Sequence, residues 1–211
     1  IKLMEELYEN DIFVLKETKL KSGETSPYYC NFRKLLTKPD LYRKFVEYIA
    51  SYIAKYEDLQ FDHLCGVPMG SLPFVSSLAF HLNKSQLLCR EKRKDYGMKN
   101  LIEGDFVIGD KAVIIEDVLT TGTSVLEVYE KLKNNGLEIK DIIILFDREH
   151  EGCHRLEKLD LNVYTLFSYK DFISYLEGKE CVDEHELETL RFYYDKTQKI
   201  VKYKLENTPK E

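Results

Sequence analysis

Val113-Ile114-Ile115-Glu116-Asp117-Val118-Leu119-Thr120-Thr121-Gly122-Thr123-Ser124 runs from an unbroken apolar segment through two acids into a turn of hydroxyls and glycine. The apolar part has no polar position, the pattern of a strand covered on both faces, as in a parallel sheet. The hydroxyl-rich part reads as a turn opening a helix. Its backbone N–H groups, with the hydroxyls of Thr120, Thr121, Thr123 and Ser124, form a cradle suited to a phosphate. Glu116 and Asp117 stand just before that cradle. Two carboxylates disfavour a second phosphate and accept hydrogen bonds from sugar hydroxyls, so the implied ligand is a phosphorylated ribose. The same residues also suit a plain strand end followed by a capped helix.

Outward from this stretch, short apolar segments alternate with helical ones. They are His63 to Val67, a helix from Ser71 to Asn83, Gln86 to Arg90, Lys111 to Asp117, a helix from Thr123 to Asn134, Asp141 to Asp147, a short helix near Glu151 to Leu159, and Val163 to Ser168. Such alternation predicts βαβ crossovers and an α/β fold, a central parallel sheet flanked by helices. Upstream, Leu41, Phe45, Tyr48, Ile49, Tyr52, Ile53 and Tyr56 recur at helical spacing behind Pro39-Asp40, and Ile1 to Asn10 reads as an amphipathic helix. Ligands of open parallel sheets bind at the carboxyl ends of the strands. Those ends carry Gly66-Val67-Pro68-Met69-Gly70-Ser71, Arg90 to Lys94, Glu116 to Ser124, and Asp147-Arg148-Glu149.

Composition excludes several classes of function. The 211 residues hold 31 Lys plus Arg against 37 Asp plus Glu, a net charge of −6, which argues against a nucleic-acid binder relying on a global positive field. No run approaches the roughly 20 apolar residues of a membrane span. Cys30, Cys65, Cys89, Cys153 and Cys181 are odd in number, scattered and free of any Cys-x-x-Cys pair, so free thiols in a reducing, cytoplasmic setting are expected. His150 and His154 flank Cys153, but structural zinc takes four ligands and no further cluster accompanies them, so they read as a helix face.

Three further segments carry charge or turn chemistry. Arg148 follows a fully apolar strand and is expected to emerge at the ligand edge, where a planar guanidinium grips a carboxylate; the alternatives are a helix cap or a pair with Asp147. Arg90, Lys92, Arg93, Lys94 and Lys99 crowd one loop, which is either solvated or the site of a pyrophosphate. Lys21 to Tyr29, with Lys-Ser-Gly followed by Ser-Pro, reads by itself as a polar surface turn.

The Val113 to Ser124 string resembles the phosphoribosyl-pyrophosphate (PRPP) motif of type I phosphoribosyltransferases. Leu20 to Tyr29, Cys65-Gly66-Val67-Pro68, Lys94-Asp95-Tyr96-Gly97 and Leu145-Phe146-Asp147-Arg148-Glu149 are similar, in the same order, to orotate phosphoribosyltransferases, over roughly residues 10 to 180. The resemblance implies the type I fold with a base-covering N-terminal hood (1–40), a PRPP-binding core (60–170) and a mobile catalytic loop (91–105). Together these form a domain over 1–180, followed by a charged helix or tail over 181–211. It implies transfer of ribose 5-phosphate from PRPP to orotate in pyrimidine biosynthesis, with Mg²⁺ held mainly by substrate oxygens. PRPP would be bound by Arg90, Lys92, Arg93, Lys94, Tyr96, Glu116, Asp117, Val118, Leu119, Thr120, Thr121, Gly122, Thr123 and Ser124. Orotate would be bound by Lys21, Tyr29, Cys30, Thr120 and Arg148, and Lys94, Glu116 and Asp117 would be catalytic. A homodimer with the loop acting in trans is implied, with no nucleic acid and no membrane. The chain is expected to be either stand-alone or part of a bifunctional protein with orotidine 5′-monophosphate decarboxylase. A transferase for another base would share Glu116 to Ser124 without needing Lys21 to Tyr29 or Arg148. A non-catalytic PRPP sensor would need a DNA-binding appendage.

Overall fold

In the computed structural model the described residues are 2–20, 23–90, 101–179 and 182–207. The chain opens with helix α1 (Lys2–Glu9) and an antiparallel hairpin, β1 (Phe13–Lys19) and β2 (Thr25–Cys30). A 3-10 segment (Phe32–Thr37) leads to α2 (Pro39–Ile53), β3 (His63–Gly66), α3 (Leu72–Leu82), β4 (Ser85–Cys89) and the two-residue β5 (Ile102–Glu103). Then come β6 (Ala112–Leu119), α4 (Thr123–Asn134), β7 (Asp141–Asp147), α5 (Gly152–Glu157), β8 (Asn162–Ser168), α6 (Tyr169–Leu176) and α7 (Glu184–Asn207).

Six strands form one sheet in the order β5-β4-β3-β6-β7-β8, parallel throughout except for antiparallel β5 at the edge. The central strands β3, β6 and β7 are buried along most of their length, which is why Ala112 to Ile115 and Ile142 to Phe146 read as unbroken apolar runs. Alternate side chains divide between two cores. Val113, Ile115, Ile143 and Leu145 pack with α2, α3, α6, the hairpin and the first turns of α7, whereas Ile114, Ile142 and Ile144 pack with α4 and α5. Local chemistry sets the helix starts. Proline occupies the first turn of α2 and of α3, and Ser168 with Asp171 forms a capping box at α6.

Two elements differ from the sequence expectation in a way that matters for the site. β6 runs past the expected limit at Asp117 to Leu119 because Val118 pairs in register with Phe146 and Leu119 with Asp147, so the acid pair lies inside the strand and not at its end. Neighbouring strand residues point to opposite faces, and Glu116 is buried while Asp117 is half-buried. The C-terminal segment is a 24-residue helix whose inner stripe, Leu187, Leu190, Tyr193, Thr197 and Val201, is buried, and its first three members join the core shared with the hairpin. The stripe was hard to see among the Glu and Lys residues of the outer faces.

Candidate active site

The turn expected to cradle a phosphate lies where β6 hands over to α4. Gly122 sits at the N-cap with φ +76°, a conformation open to glycine at little cost, and this lets the chain turn directly into the helix. No side chain caps that helix start, so its first N–H groups are available to an anion. Thr121 and Thr123 hydroxyls lie 3.2 Å apart at the mouth, and Arg155 of α5 donates to the Thr121 carbonyl (2.7 Å) and to Thr123 Oγ1 (3.2 Å). Arg155 is a site residue that the sequence reading missed, since one arginine in a short polar helix carries no signal of what it faces. The loop leans on α5 at its start as well. Gly152 N donates to the Thr120 carbonyl (3.0 Å), and Arg148 N donates to the Leu119 carbonyl (3.0 Å).

A Cβ at Gly152 would stand 2.7 Å from the Thr120 carbonyl and 2.8 Å from Leu119 Cγ, so Gly152→Ala must push the cradle away from α5. Overpacking of this kind costs about 1–3 kcal/mol; with this turn as the seat of the 5-phosphate, a share of that cost raises the KM for PRPP about tenfold, more than it raises the KM for orotate. Initial rates at varied PRPP check this; an unchanged KM for PRPP would show that the cradle does not depend on the α5 contact.

Asp117 faces the turn that follows β3. A Cβ on Gly70 would fall 2.0 Å from Asp117 Oδ2, so the glycine leaves the room that the carboxylate occupies. Glu116 turns back on its own strand, and Oε1 accepts from Asp117 N (3.1 Å). Ser71 Oγ donates to the Val67 carbonyl (2.7 Å) and closes the Gly66 to Ser71 turn. At the end of β4, Arg90 Nε meets Glu103 Oε1 at 2.6 Å, while the Arg90 carbonyl accepts from Lys131 Nζ (3.0 Å). The expected phosphate contact of Arg90 therefore competes with an ion pair to β5. Lys21, Lys92, Arg93, Lys94 and Tyr96 lie outside the described residues.

On the base side the hairpin supplies the inward-facing row Ser26, Tyr28 and Cys30, all buried, with half-buried Tyr29 on the other face. Arg148 does not emerge at the edge as expected. It is 3% exposed, donates from Nη2 to Ser26 Oγ (2.6 Å), and stacks its guanidinium 4.3 Å from the Tyr28 ring centroid. The charge is drawn inward because the aromatic face and the hydroxyl compensate it. Ser26 Oγ in turn donates to the Tyr28 carbonyl (2.8 Å). Arg148 Nε and the Tyr28 hydroxyl make no hydrogen bond among the described residues, leaving donor capacity beside the hairpin. Burial pushes the Cys30 thiol well up; the Asp117 charge adds to the effect and the Arg148 charge opposes it. Sequence reading chose Tyr29 and Cys30 and passed over Ser26 and Tyr28, because it did not assign a strand to this turn-like segment and so had no face on which to sort them.

Behind Arg148, burial and then the neighbouring Arg148 charge push the His150 imidazole down to about 4. The unfolded chain takes up a proton near 6.5 and the folded chain does not until near 4, so His150 makes stability fall as pH drops through that window. Burial raises the Asp147 and Glu149 carboxyls, which acts in the opposite sense and partly masks the fall. His150→Gln is expected to retain up to about 3 kcal/mol that the parent loses between pH 6.5 and 4. Urea melts across that range check it, and parallel pH profiles for the two proteins would contradict it.

Comparison with known proteins places this geometry. Residues 33–174 match the phosphoribosyl transferase domain. Over 173 residues the chain is 36% identical to orotate phosphoribosyltransferase of Methanocaldococcus jannaschii, covering 82% of this chain and 96% of that protein. It is 31% identical over 185 residues to uridine 5′-monophosphate synthase of Bos taurus, covering 88% of this chain but only 38% of the bovine protein. The solved orotate phosphoribosyltransferase of Aeropyrum pernix superimposes with a TM-score of 0.74 at 27% identity, over 84% of this chain and 99% of that one. A buried strand that delivers an acid pair to an uncapped helix start lies within the matched domain, which spans the whole six-stranded sheet, and the hairpin that holds Arg148 precedes that domain; the chain belongs to the phosphoribosyltransferase family, among the orotate phosphoribosyltransferases.

Proposed function

We propose that this chain transfers ribose 5-phosphate from PRPP to N1 of orotate, releasing pyrophosphate and forming orotidine 5′-monophosphate, a step of pyrimidine biosynthesis. The observation that carries this reading is the pairing of β6 with β7, which sets the strand holding Glu116 and Asp117 beside the strand that leads into Arg148, whose N–H donates to the Leu119 carbonyl (3.0 Å), so an acid pair and a guanidinium stand at the same sheet edge. Asp117 orients the ribose hydroxyls and, with Glu116 behind it, favours the positive charge that builds at C1 as the bond to pyrophosphate breaks. The Thr120 to Ser124 cradle holds the 5-phosphate, so that binding energy far from C1 positions the reacting carbon. Arg148, Ser26, Cys30 and the main chain at Tyr29 hold the orotate ring, with Thr120 and Lys21 beside it. Lys92, Arg93, Lys94 and Tyr96 close over the pyrophosphate, and Arg90 joins them when it leaves Glu103.

The donor set suits Mg²⁺: Asp117 and the hydroxyl-rich turn offer hard oxygen ligands, while the described residues hold no group of three or more His, Cys, Asp or Glu side chains arranged as a protein cage. When bound, mainly through substrate oxygens, the ion neutralises charge on the leaving pyrophosphate. Consumption of orotate with PRPP and Mg²⁺, beside uracil and hypoxanthine, tests the function. Turnover of orotate alone is expected, and equal or faster use of another base would reject the assignment.

The active unit is a homodimer in which the 91–105 loop serves the neighbouring site. Large exposed apolar side chains, Met69, Phe80 and Leu88, support a second copy as the cover of the α3 and β4 side. Lys94→Ala and Asp117→Asn chains are each nearly inactive, and mixing them with subunit exchange restores about a quarter of wild-type activity, because half the dimers are hybrid with one intact site. No recovery in confirmed hybrids would place the loop over its own site. Residues 1–180 carry this machinery, and the relation to the much longer bovine synthase supports association with orotidine 5′-monophosphate decarboxylase. No described helix is long and apolar enough to cross a membrane, and the free cysteines Cys30, Cys65, Cys89 and Cys153 suit the cytoplasm.

A further inference from the structure

Glu149, directly after Arg148, has φ +55°, a left-handed conformation that a side chain of this kind adopts only when its surroundings hold it there. Each of its polar groups is held. Its N–H donates to Asp147 Oδ1 (2.8 Å), and its carboxylate accepts from Lys170 N at the start of α6 (2.6 Å). The other two contacts come from the C-terminal helix: Gln198 Nε2 donates to the Glu149 carbonyl (2.7 Å), and the Tyr194 hydroxyl approaches Oε1 at 3.4 Å. The same helix reaches Arg148 from a second side. Tyr193 meets the Tyr28 ring edge-on at 6.4 Å, and Tyr28 is the aromatic face on which the Arg148 guanidinium lies. Tyr28 is also stacked on Tyr169 (4.4 Å), whose hydroxyl donates to the Leu190 carbonyl of α7 (3.1 Å).

We propose that α7, acting chiefly through Gln198, is a specificity-determining element for the base: by holding Glu149 in its left-handed turn it fixes the direction in which Arg148 leaves β7. Gln198 is a positioning residue and touches no substrate. Helix α7 begins ten residues beyond the end of the matched transferase domain, at Glu184 against 174. The inference rests on the reading of Arg148 as the group that binds the orotate carboxylate.

The test compares Gln198→Ala, Glu149→Gly and the double variant in the full chain. Glycine adopts φ +55° without support, so its presence should make the clamp unnecessary. Gln198→Ala is expected to raise the KM for orotate about fivefold to tenfold and to narrow the preference over uracil, with the KM for PRPP unchanged. In the Glu149→Gly background the same substitution should leave the KM for orotate unchanged, and Gln198→Lys, which keeps a donor for the carbonyl, should restore most of the loss. Equal rises in both KM values, an equal effect in both backgrounds, or a fall in kcat alone would overturn the proposal. Arg148→Ala is measured alongside: a raised KM for orotate there with none in Gln198→Ala removes only the role of α7, whereas no change in Arg148→Ala removes the reading on which it rests. Gln198 is half-exposed, and Tyr194→Phe, which deletes a single hydroxyl, gives the same comparison with less disturbance of folding.

Discussion

Arg148→Ala is expected to raise the KM for orotate roughly 30- to 1,000-fold, because removal of a charge-assisted contact to a carboxylate costs about 2–4 kcal/mol. PRPP binding is unaffected in this account, since the cradle and Asp117 are contributed by β6 and α4. The variant also loses the guanidinium stacked on Tyr28 and the bond to Ser26, so a lower melting temperature accompanies the kinetic change. Kinetics are therefore measured well below the transition, with circular dichroism confirming the fold. A KM for orotate equal to the parent's would remove Arg148 from the base site.

Asp117→Asn should act on the sugar. The substitution keeps the size of the side chain against Gly70, where there is no room for a larger group, but removes negative charge near C1 and exchanges an acceptor for a donor. Loss of one preorganised electrostatic contact of this kind costs about 2.7–4 kcal/mol, or about 10²- to 10³-fold in kcat/KM for PRPP. Stability should hardly change because no volume is lost. A kcat/KM for PRPP equal to the parent's would mean that the ribose lies elsewhere.

Much of this arrangement could be read before any coordinates. Fully covered strands announce themselves as apolar runs, so β3, β6 and β7 and the helices between them were legible, and Gly122 with its flanking threonines marked the turn from β6 into α4. The end of β6 was not, because Val118 and Leu119 follow two acids and lead into the hydroxyl-rich turn, and only their pairing with Phe146 and Asp147 keeps them in the ladder. The base side was legible as a motif but not as a geometry. Lys-Ser-Gly and Ser-Pro read as turn chemistry, yet residues Thr25 to Cys30 form a strand, and its alternation selects Ser26 and Tyr28 as the partners of Arg148. Arg155 and Gln198 act through contacts 32 to 49 residues distant in sequence, on helices whose polar faces look like ordinary surface. Local pattern carries no trace of such pairs.

Binding measured without turnover tests the central claim most directly, that one sheet edge joins a sugar site on β6 to a base site on β7 and the hairpin. Calorimetric titration of the parent, Asp117→Asn and Arg148→Ala with PRPP, and then with orotidine 5′-monophosphate against uridine 5′-monophosphate, separates the two halves. The account predicts that Asp117→Asn weakens PRPP while keeping the preference for the carboxylated nucleotide, and that Arg148→Ala binds PRPP as the parent does and loses that preference. Both variants weakening all three ligands alike, or neither altering the preference, would contradict it.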